Sequence, residues 1–468
     1  MANRTRESVS SQVQIEIDRL ESSDGLPFRQ LLSEDRILSA LDRANVEFRD
    51  RIFSPRITLW AFLSQVTGGK DSSSCENATS RVLADRVAHG QSACSTNNNS
   101  YCKARGRLPG RVVTDLTREI GAELHKQASP KWLLKGRHVV IADGSTATMA
   151  DTPENQAEYP QRRNQKAGVG FPILRFVVLL SLAVGTTLDC AIGACRGKNT
   201  GEQSLFRKTW DSLESGDIVL ADRLYDCYRD IALLKERGID SLFGKKQSRN
   251  CDFRSGKRMG KNDHIVVWNK PKYDRSRFES REEWESLPDQ MEIREVRVTV
   301  RRKGYRSRTI VVVTTLLDAE QYSAEELTDL FQERWHCELD LRSIKRALGM
   351  HHLKCESPEM VRKELWVYLL AYNLIRVRMA QAASVHGSLP RDLSFTAAKN
   401  HIHNFASYLS AASEDDFSRL EKELISAIAK SRLKKRPGRT EPRAVKKRQQ
   451  KYSYLTKPRH QARKALTA

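Results

Sequence analysis

Apolar positions change their period along this chain, and the changes divide it. Up to about residue 130 they recur at helical intervals without strand alternation. LSEDRILSALDRANVEFRD with Ser33 as candidate cap, SPRITLWAFLSQVTG closing at Gly68, and ENATSRVLADRVAHG closing at Gly90 each predict a helix. Polar turns, DSSS at 71–74 and STNNNS at 95–100, separate them, and the next segment, SYCKARGRLPGRVVTDLTREIGAELHKQ, ends in a long amphipathic helix. At residue 138 the pattern becomes β-rich. HVVIADGST reads as a strand ending at Asp143-Gly144, and Pro172 to Leu182 and Thr187 to Ile192 as a hairpin around Gly185. KNTGEQSLFRKTWDSL predicts a helix with Thr200 as N-cap and Glu202 in its first turn. DIVLADRLY is then a strand ending at Asp222, IALLKERG a helix closed by Gly238, and IDSLFGKK a strand. Three strands, helix, strand, helix, strand make a mixed α/β layer.

About 80 residues follow before the next strong helix, too many for a simple loop. Within them HIVVWNKP, MEIREVRVTVRRKG and SRTIVVVTTLLD predict an inserted β-subdomain with a turn at 303–305. Its strands carry Arg294, Arg297, Arg301, Arg302, Lys303, Arg306 and Arg308. In LTDLFQERWHCELDLRSIKRALGM, Leu327, Leu330, Leu341, Ile344 and Leu348 recur at helical spacing, with no Pro or Gly before Gly349. At 100° per residue, Arg334, Glu338 and Lys345 fall within roughly 60° of Phe331. Such a helix either holds a carboxylate between two cations at the margin of a core or is a surface helix with intrahelical ion pairs. MVRKELWVYLLAYNLIRVRMAQAA predicts a long helix able to cover a sheet, and helices continue through FSRLEKELISAIAKSRL. From Arg432 a basic segment with three Pro and only Glu441 as acid reads as extended.

Length, 468 residues, suits about three domains. A formal net charge of +22 calls for a polyanionic partner, nucleic acid first and an anionic membrane surface as its competitor. FVVLLSLAV, the longest apolar run, is too short to span a bilayer, and no secretory pattern opens the chain, so a cytoplasmic protein with no membrane partner is expected. Nine scattered Cys argue against a disulfide framework. Lys103, Arg105, Arg107 and Arg111 at the start of a helix suit a helix-turn-helix-like DNA reader, with a generic helical packing domain as the alternative.

Two strands, HVVIAD and DIVLAD, each run apolar into an Asp. One such Asp is ordinarily a cap or turn residue. Asp143 and Asp222 together with Glu338 are more specific, since three converging carboxylates repel one another unless a cation offsets them. Hard oxygen ligands suit Mg²⁺ or Mn²⁺ and not zinc. A pair of such ions about 3.5–4 Å apart activates water or a 3′-hydroxyl for in-line attack on a phosphodiester.

Phe331, Arg334, Glu338 and Lys345 also stand at the Tyr-Arg-Glu-Lys spacing of the insertion-sequence-four family of bacterial DDE transposases, with Phe331 in the Tyr position. IADGST around Asp143 and LADRLY around Asp222 resemble that family's first and second Asp motifs, so the resemblance runs from about Val139 to Lys345. It implies a ribonuclease-H-like core in which Asp143, Asp222 and Glu338 bind the metal, Mg²⁺ with Mn²⁺ able to substitute, as two ions. Arg334 and Lys345 would contact DNA phosphates beside Phe331. Arg223 would either hold the site through an ion pair or touch the scissile phosphate. The insertion, with Arg301 and Arg302, would contact transposon-end DNA and shelter a flipped base, for which Trp268 and Tyr305 are the aromatic candidates. Core packing is the other reading of Trp268.

The expected protein is therefore an α/β transposase with an N-terminal helical domain, a ribonuclease-H-like core with a mixed sheet, and a β-rich insertion before the Glu helix. Its expected divisions are 1–130 for DNA binding, 131–246 for the first part of the core, 247–318 for the insertion, 319–385 for the second part, and 386–468 for the C-terminal helices and basic tail. Its expected partners are double-stranded DNA bearing terminal inverted repeats, target DNA, and a second copy in a homodimeric synaptic complex. A metal-dependent nuclease without strand transfer and an inactive DNA-binding descendant are the rivals.

Overall fold

The computed structural model describes residues 31–45, 51–68, 73–275, 278, 280–300, 308–433 and 452–467. They belong to two compact units, one drawn from 1–132, 183–189 and 340–433, the other from 133–182, 190–339 and 434–468.

The first unit opens with α1 (Glu34–Arg43), α2 (Pro55–Thr67), α3 (Cys75–Ala88), α4 (Asn99–Arg107) and α5 (Gly110–Lys126). Ser33, Ser54 and Ser74 cap the first three, their hydroxyl oxygens accepting from the amides of Arg36, Ile57 and Asn77 at 3.3, 3.4 and 3.1 Å. Each cap satisfies a donor that the first helical turn leaves without a partner. Tyr101 on α4 packs with Ala61 on α2 and Ala78 and Val82 on α3 as buried core.

In the second unit the sheet begins with β1 (Val139–Met149), α6 (Pro153–Glu158), β2 (Ile173–Ser181), β3 (Thr187–Ala194), α7 (Glu202–Arg207), β4 (Ile218–Ala221), α8 (Tyr228–Glu236) and β5 (Asp240–Gly244). The strands lie in the order β3-β2-β1-β4-β5. β2 runs antiparallel to β1, β4 parallel to β1, and β5 parallel to β4. An antiparallel hairpin on one flank of β1 and parallel crossovers on the other make a ribonuclease-H-like sheet. The four residues of β4 are all buried, as a central parallel strand requires.

The insertion consists of β6 (Lys257–Gly260), β7 (Asp263–Asn269), α9 (Arg281–Ser286), β8 (Gln290–Val300) and β9 (Arg308–Thr314). The sheet continues into this β-rich insertion as β5-β9-β8-β7-β6. β9 pairs antiparallel with β5 and satisfies what would otherwise be an open edge.

Three local expectations are corrected. β1 does not end at Asp143: its polar half stays paired with β2 as far as Thr148↔Ile173, so ladder bonds carry it where side-chain burial does not. Thr200 is not the cap of α7; Gly201 is, while the Thr200 hydroxyl donates to the Gly197 carbonyl at 3.0 Å. The single helix expected around Glu338 is divided into α10 (Ala324–Glu333) and α11 (Trp335–Arg342) at Arg334, and ends in a π-helical turn at Ser343–Ala347. A reciprocal Ser323–Glu326 capping box starts α10.

The chain then returns to the first unit through α12 (Pro358–Val385), α13 (Phe395–Ala411) and α14 (Glu414–Lys430). α12 is buried on nearly every side and packs against α2, α5, α13 and α14. Asn373 at its middle accepts from the Thr187 amide at 2.8 Å and donates to the carbonyls of Thr187 and Thr117 at 2.8 and 3.0 Å. No helix among the described residues is long and apolar enough to cross a membrane, and all nine cysteines are free thiols.

Candidate active site

Strand register brings the two aspartates together. β1 and β4 pair from Val139↔Ile218 to Ile141↔Leu220, and the same register carried two residues forward sets Asp143 level with Asp222. Adjacent strands lie about 4.8 Å apart. β4 stops at Ala221 while β1 continues, so Asp143 looks past the end of its neighbour. Local bonds fix both carboxylates. An oxygen of Asp143 accepts from the Gly144 amide at 2.8 Å, and one of Asp222 accepts from the Leu224 amide at 2.7 Å in an Asx turn.

Glu338 lies on α11, where its carboxylate is 3.8 Å from the Arg334 guanidinium and 39% exposed. Arg334 is also one of the charges that act on Asp143. Burial pushes the Asp143 carboxyl up to about 6; the Gly144 amide and Arg334 pull it back, while Asp222 and Glu202 push it further. The group around Asp143 thus sets two acids against one cation. Hard carboxylate oxygens in excess over cations are the donor set of a divalent metal.

The other expected residues are distributed unevenly. Phe331 is buried, with the Arg334 guanidinium 6.0 Å from its ring centre. Lys345 is half-buried in the π turn. That turn widens the helix and shifts the phase on which the one-face expectation for Lys345 rested. Arg223 is exposed, and among the described residues it has no ion pair; its backbone passes close to Gly244, where a Cβ would lie 3.1 Å from the Arg223 nitrogen. Trp268 donates its indole N–H to Glu295 at 3.2 Å and carries the Arg249 guanidinium 3.9 Å from its ring centre. Arg301, Arg302, Lys303, Tyr305 and Arg306 lie outside the described residues.

Two of the expected basic residues are internal supports. Arg294 is fully buried and forks onto Asp263 at 2.8 and 2.5 Å. Arg105 stacks over Phe62 and donates to Gln65 within the helical unit. A Cys–His–Glu group, Cys251, His264 and Glu295, has ligand atoms within 4.8 Å of one another. Lys245 already donates to both Glu295 oxygens at 2.8 and 2.7 Å, so the group's negative charge has its partner.

A family model described as Transposase DDE domain matches residues 134–374, just over half of the chain. The chain belongs to the DDE transposases. It is 29% identical over 364 residues to the transposase InsG for insertion sequence element IS4 of Escherichia coli strain K12, covering 76% of this chain and 77% of that one. The putative transposase InsL for insertion sequence element IS186A of the same strain is 34% identical over 65 residues, 14% of this chain and 18% of its own. Among solved structures, a piggyBac transposase synaptic complex with hairpin DNA aligns with 89% of this chain and 86% of its own at 9% identity and a TM-score of 0.44. The fold assignment itself rests on the strand order.

This transposase is thus an insertion-sequence enzyme of the IS4 family that acts on DNA, and its family's chemistry depends on a divalent metal. Reading the sequence left two residues of the same neighbourhood without a role. Glu202 was taken only as a first-turn residue, and Tyr225 was not singled out. Gly144 was the available signal, because a glycine inside a strand marks a close approach of something else.

Proposed function

We propose that Asp143, Asp222 and Glu338 are the catalytic carboxylates with which this transposase cuts DNA at the terminal inverted repeats of its element and joins the freed ends to target DNA. One observation carries the reading: parallel register sets Asp143 level with Asp222, and Arg334 links Asp143 to Glu338. The three acids would hold Mg²⁺, with Mn²⁺ as substitute, as two ions, which when bound activate the attacking oxygen and stabilise the leaving one. Arg334 orients Glu338 and offers its guanidinium to a phosphate near the cut. Lys345 and exposed Arg223 engage neighbouring phosphates, while Phe331 supports Arg334. The same site first directs water at the phosphodiester of the element's end, then directs the resulting 3′-hydroxyl at target DNA.

In this reading residues 1–130 bind DNA, 131–246 and 319–385 form the two parts of the core, 247–318 contact the transposon end, and 386–468 add helices and a basic tail. Arg301 and Arg302 would contribute to end binding, and Trp268 or Tyr305 would stack on a flipped base. Two copies would pair two ends in a synaptic complex, in the cytoplasm at the nucleoid.

The test incubates purified protein with labelled DNA carrying the element's inverted repeats and a supercoiled target, with and without Mg²⁺ or Mn²⁺. Metal-dependent cuts at the repeat boundary and joined products, both lost in Glu338→Gln, are expected. Cutting without joining would favour a nuclease, and binding without cutting an inactive descendant.

A further inference from the structure

Glu202 lies against the catalytic strand more closely than a first-turn residue needs to. An ideal Cβ built on Gly144 would sit 2.6 Å from both the Glu202 carboxyl carbon and its Oε2, so no side chain fits at 144 while Glu202 stays in place. Gly144 directly follows Asp143, and the Glu202 carboxylate is one of the charges that act on that aspartate. Its other oxygen faces Arg175 at 3.6 Å. Arg175 stands on β2 opposite Thr146, and it is anchored by donating to the Thr200 carbonyl at 3.2 Å. Arg175 therefore orients one oxygen and leaves the second turned to the β1 backbone at Asp143-Gly144.

A second observation comes from Tyr225, in the turn that Asp222 opens. The side chain is fully buried, yet its hydroxyl has no hydrogen-bond partner among the described residues. Its ring is locked edge-on against Phe206 of α7, with centroids 5.1 Å apart, and its amide donates to the Asp222 carbonyl at 3.2 Å. Asp143, Glu202 and Asp222 are all among the charges that act on this hydroxyl. A buried phenol is normally satisfied, and the charges that act on this one are those of the acid cluster.

We propose that Glu202 is a fourth carboxylate of the active site, a ligand to the divalent cation held at Asp143, and that Tyr225 is a positioning residue whose hydroxyl donates to the oxygens around that cation. This rests on the function proposed above. The charge count supports it: two divalent ions carry four positive charges and the three expected acids supply three negative ones. A fourth carboxylate balances the set. Gly144 is then required because it leaves room for that ligand beside Asp143.

Binding of Mn²⁺ alone to the full-length protein, measured by titration calorimetry, tests the proposal without relying on activity. Glu202→Gln, nearly isosteric, should weaken Mn²⁺ binding about tenfold or more, and Tyr225→Phe by a smaller factor, on the scale of lost outer-sphere support. Glu202→Asp keeps the charge but withdraws it from Gly144, so it too should weaken binding, while its thermal melt stays at the wild-type position. Asp143→Asn serves as the control. Wild-type affinity in Glu202→Gln or in Glu202→Asp, with Asp143→Asn impaired, would overturn the fourth ligand and leave the three-acid site standing. Wild-type affinity in Asp143→Asn as well would remove the underlying reading and this proposal with it.

Discussion

Glu338 and Asp340 stand two residues apart on α11 and meet opposite electrostatic surroundings. Asp340 is buried and fully matched: Arg376 bonds one oxygen, Arg391 donates to the other at 2.6 Å, and Arg376 is itself bonded to the Tyr372 hydroxyl at 2.8 Å. Glu338 is partly exposed, with one guanidinium at 3.8 Å, and its arginine is shared with an Asp143 that other acids already crowd. The same contrast holds within the sheet. Asp263 is matched by Arg294 and Glu295 by Lys245, whereas Asp143 faces Asp222 and Glu202. Carboxylates with balanced partners hold this protein together, and the carboxylates in excess are the ones to which the proposed function assigns the chemistry. Burying an unmatched charge costs far more than burying a matched one, so the excess persists only where a cation or substrate offsets it.

The contrast can be broken by mutation, and its two sides should fail differently. Asp143→Asn, Asp222→Asn and Glu338→Gln should each lower metal-dependent cleavage of end DNA by about 100- to 1000-fold or more while DNA affinity in a mobility-shift assay stays close to wild type. Undiminished cutting by any one would remove that residue from the site. On the structural side, Asp340→Ala or Arg294→Met leaves a buried partner unpaired and should cost about 3–5 kcal/mol in chemical denaturation. A loss under about 1 kcal/mol would mean that those pairs are not what they look like. Arg334→Ala belongs to both sides, and it should weaken end-DNA binding by about tenfold, or about 1.4 kcal/mol. Lys345→Ala should weaken it less; equal affinity and rate to wild type would exclude the phosphate role of either residue. The smallest change expected is Phe331→Tyr, which returns the family's residue to a buried ring position and should alter stability by less than about 1 kcal/mol.

Much of this was readable from residue patterns, for reasons that differ by element. β4 and β5 announced themselves because strands buried on both faces are continuous apolar runs, and Asp222 because a strand ended on it. The Ser cap at 33 was visible because capping is a local bond. What escaped was non-local. The polar half of β1 looked like a loop because its ladder partner, β2, lies some thirty residues on. That the insertion extends the core sheet was not visible, because pairing of β9 with β5 joins segments about seventy residues apart. Arg105 looked like a DNA contact, and Arg294 like one more cation of a basic insertion, because a basic composition does not say which cations are spent inside. Asp263 and Phe62, which claim them, come from other segments. Glu202 escaped for the same reason, since its closeness to Gly144 depends on how α7 lies on β1.

The most direct test of the charge-excess account is equilibrium unfolding of wild type and Asp143→Asn at pH 7, each with and without Mg²⁺. Because burial and neighbouring acids disfavour the charged form of Asp143, the metal-free variant should be the more stable of the two. Mg²⁺ should stabilise wild type and have little effect on the variant. Equal stabilisation of both by Mg²⁺, or a metal-free variant less stable than wild type, would contradict the claim that an unmatched carboxylate at 143 waits for a cation.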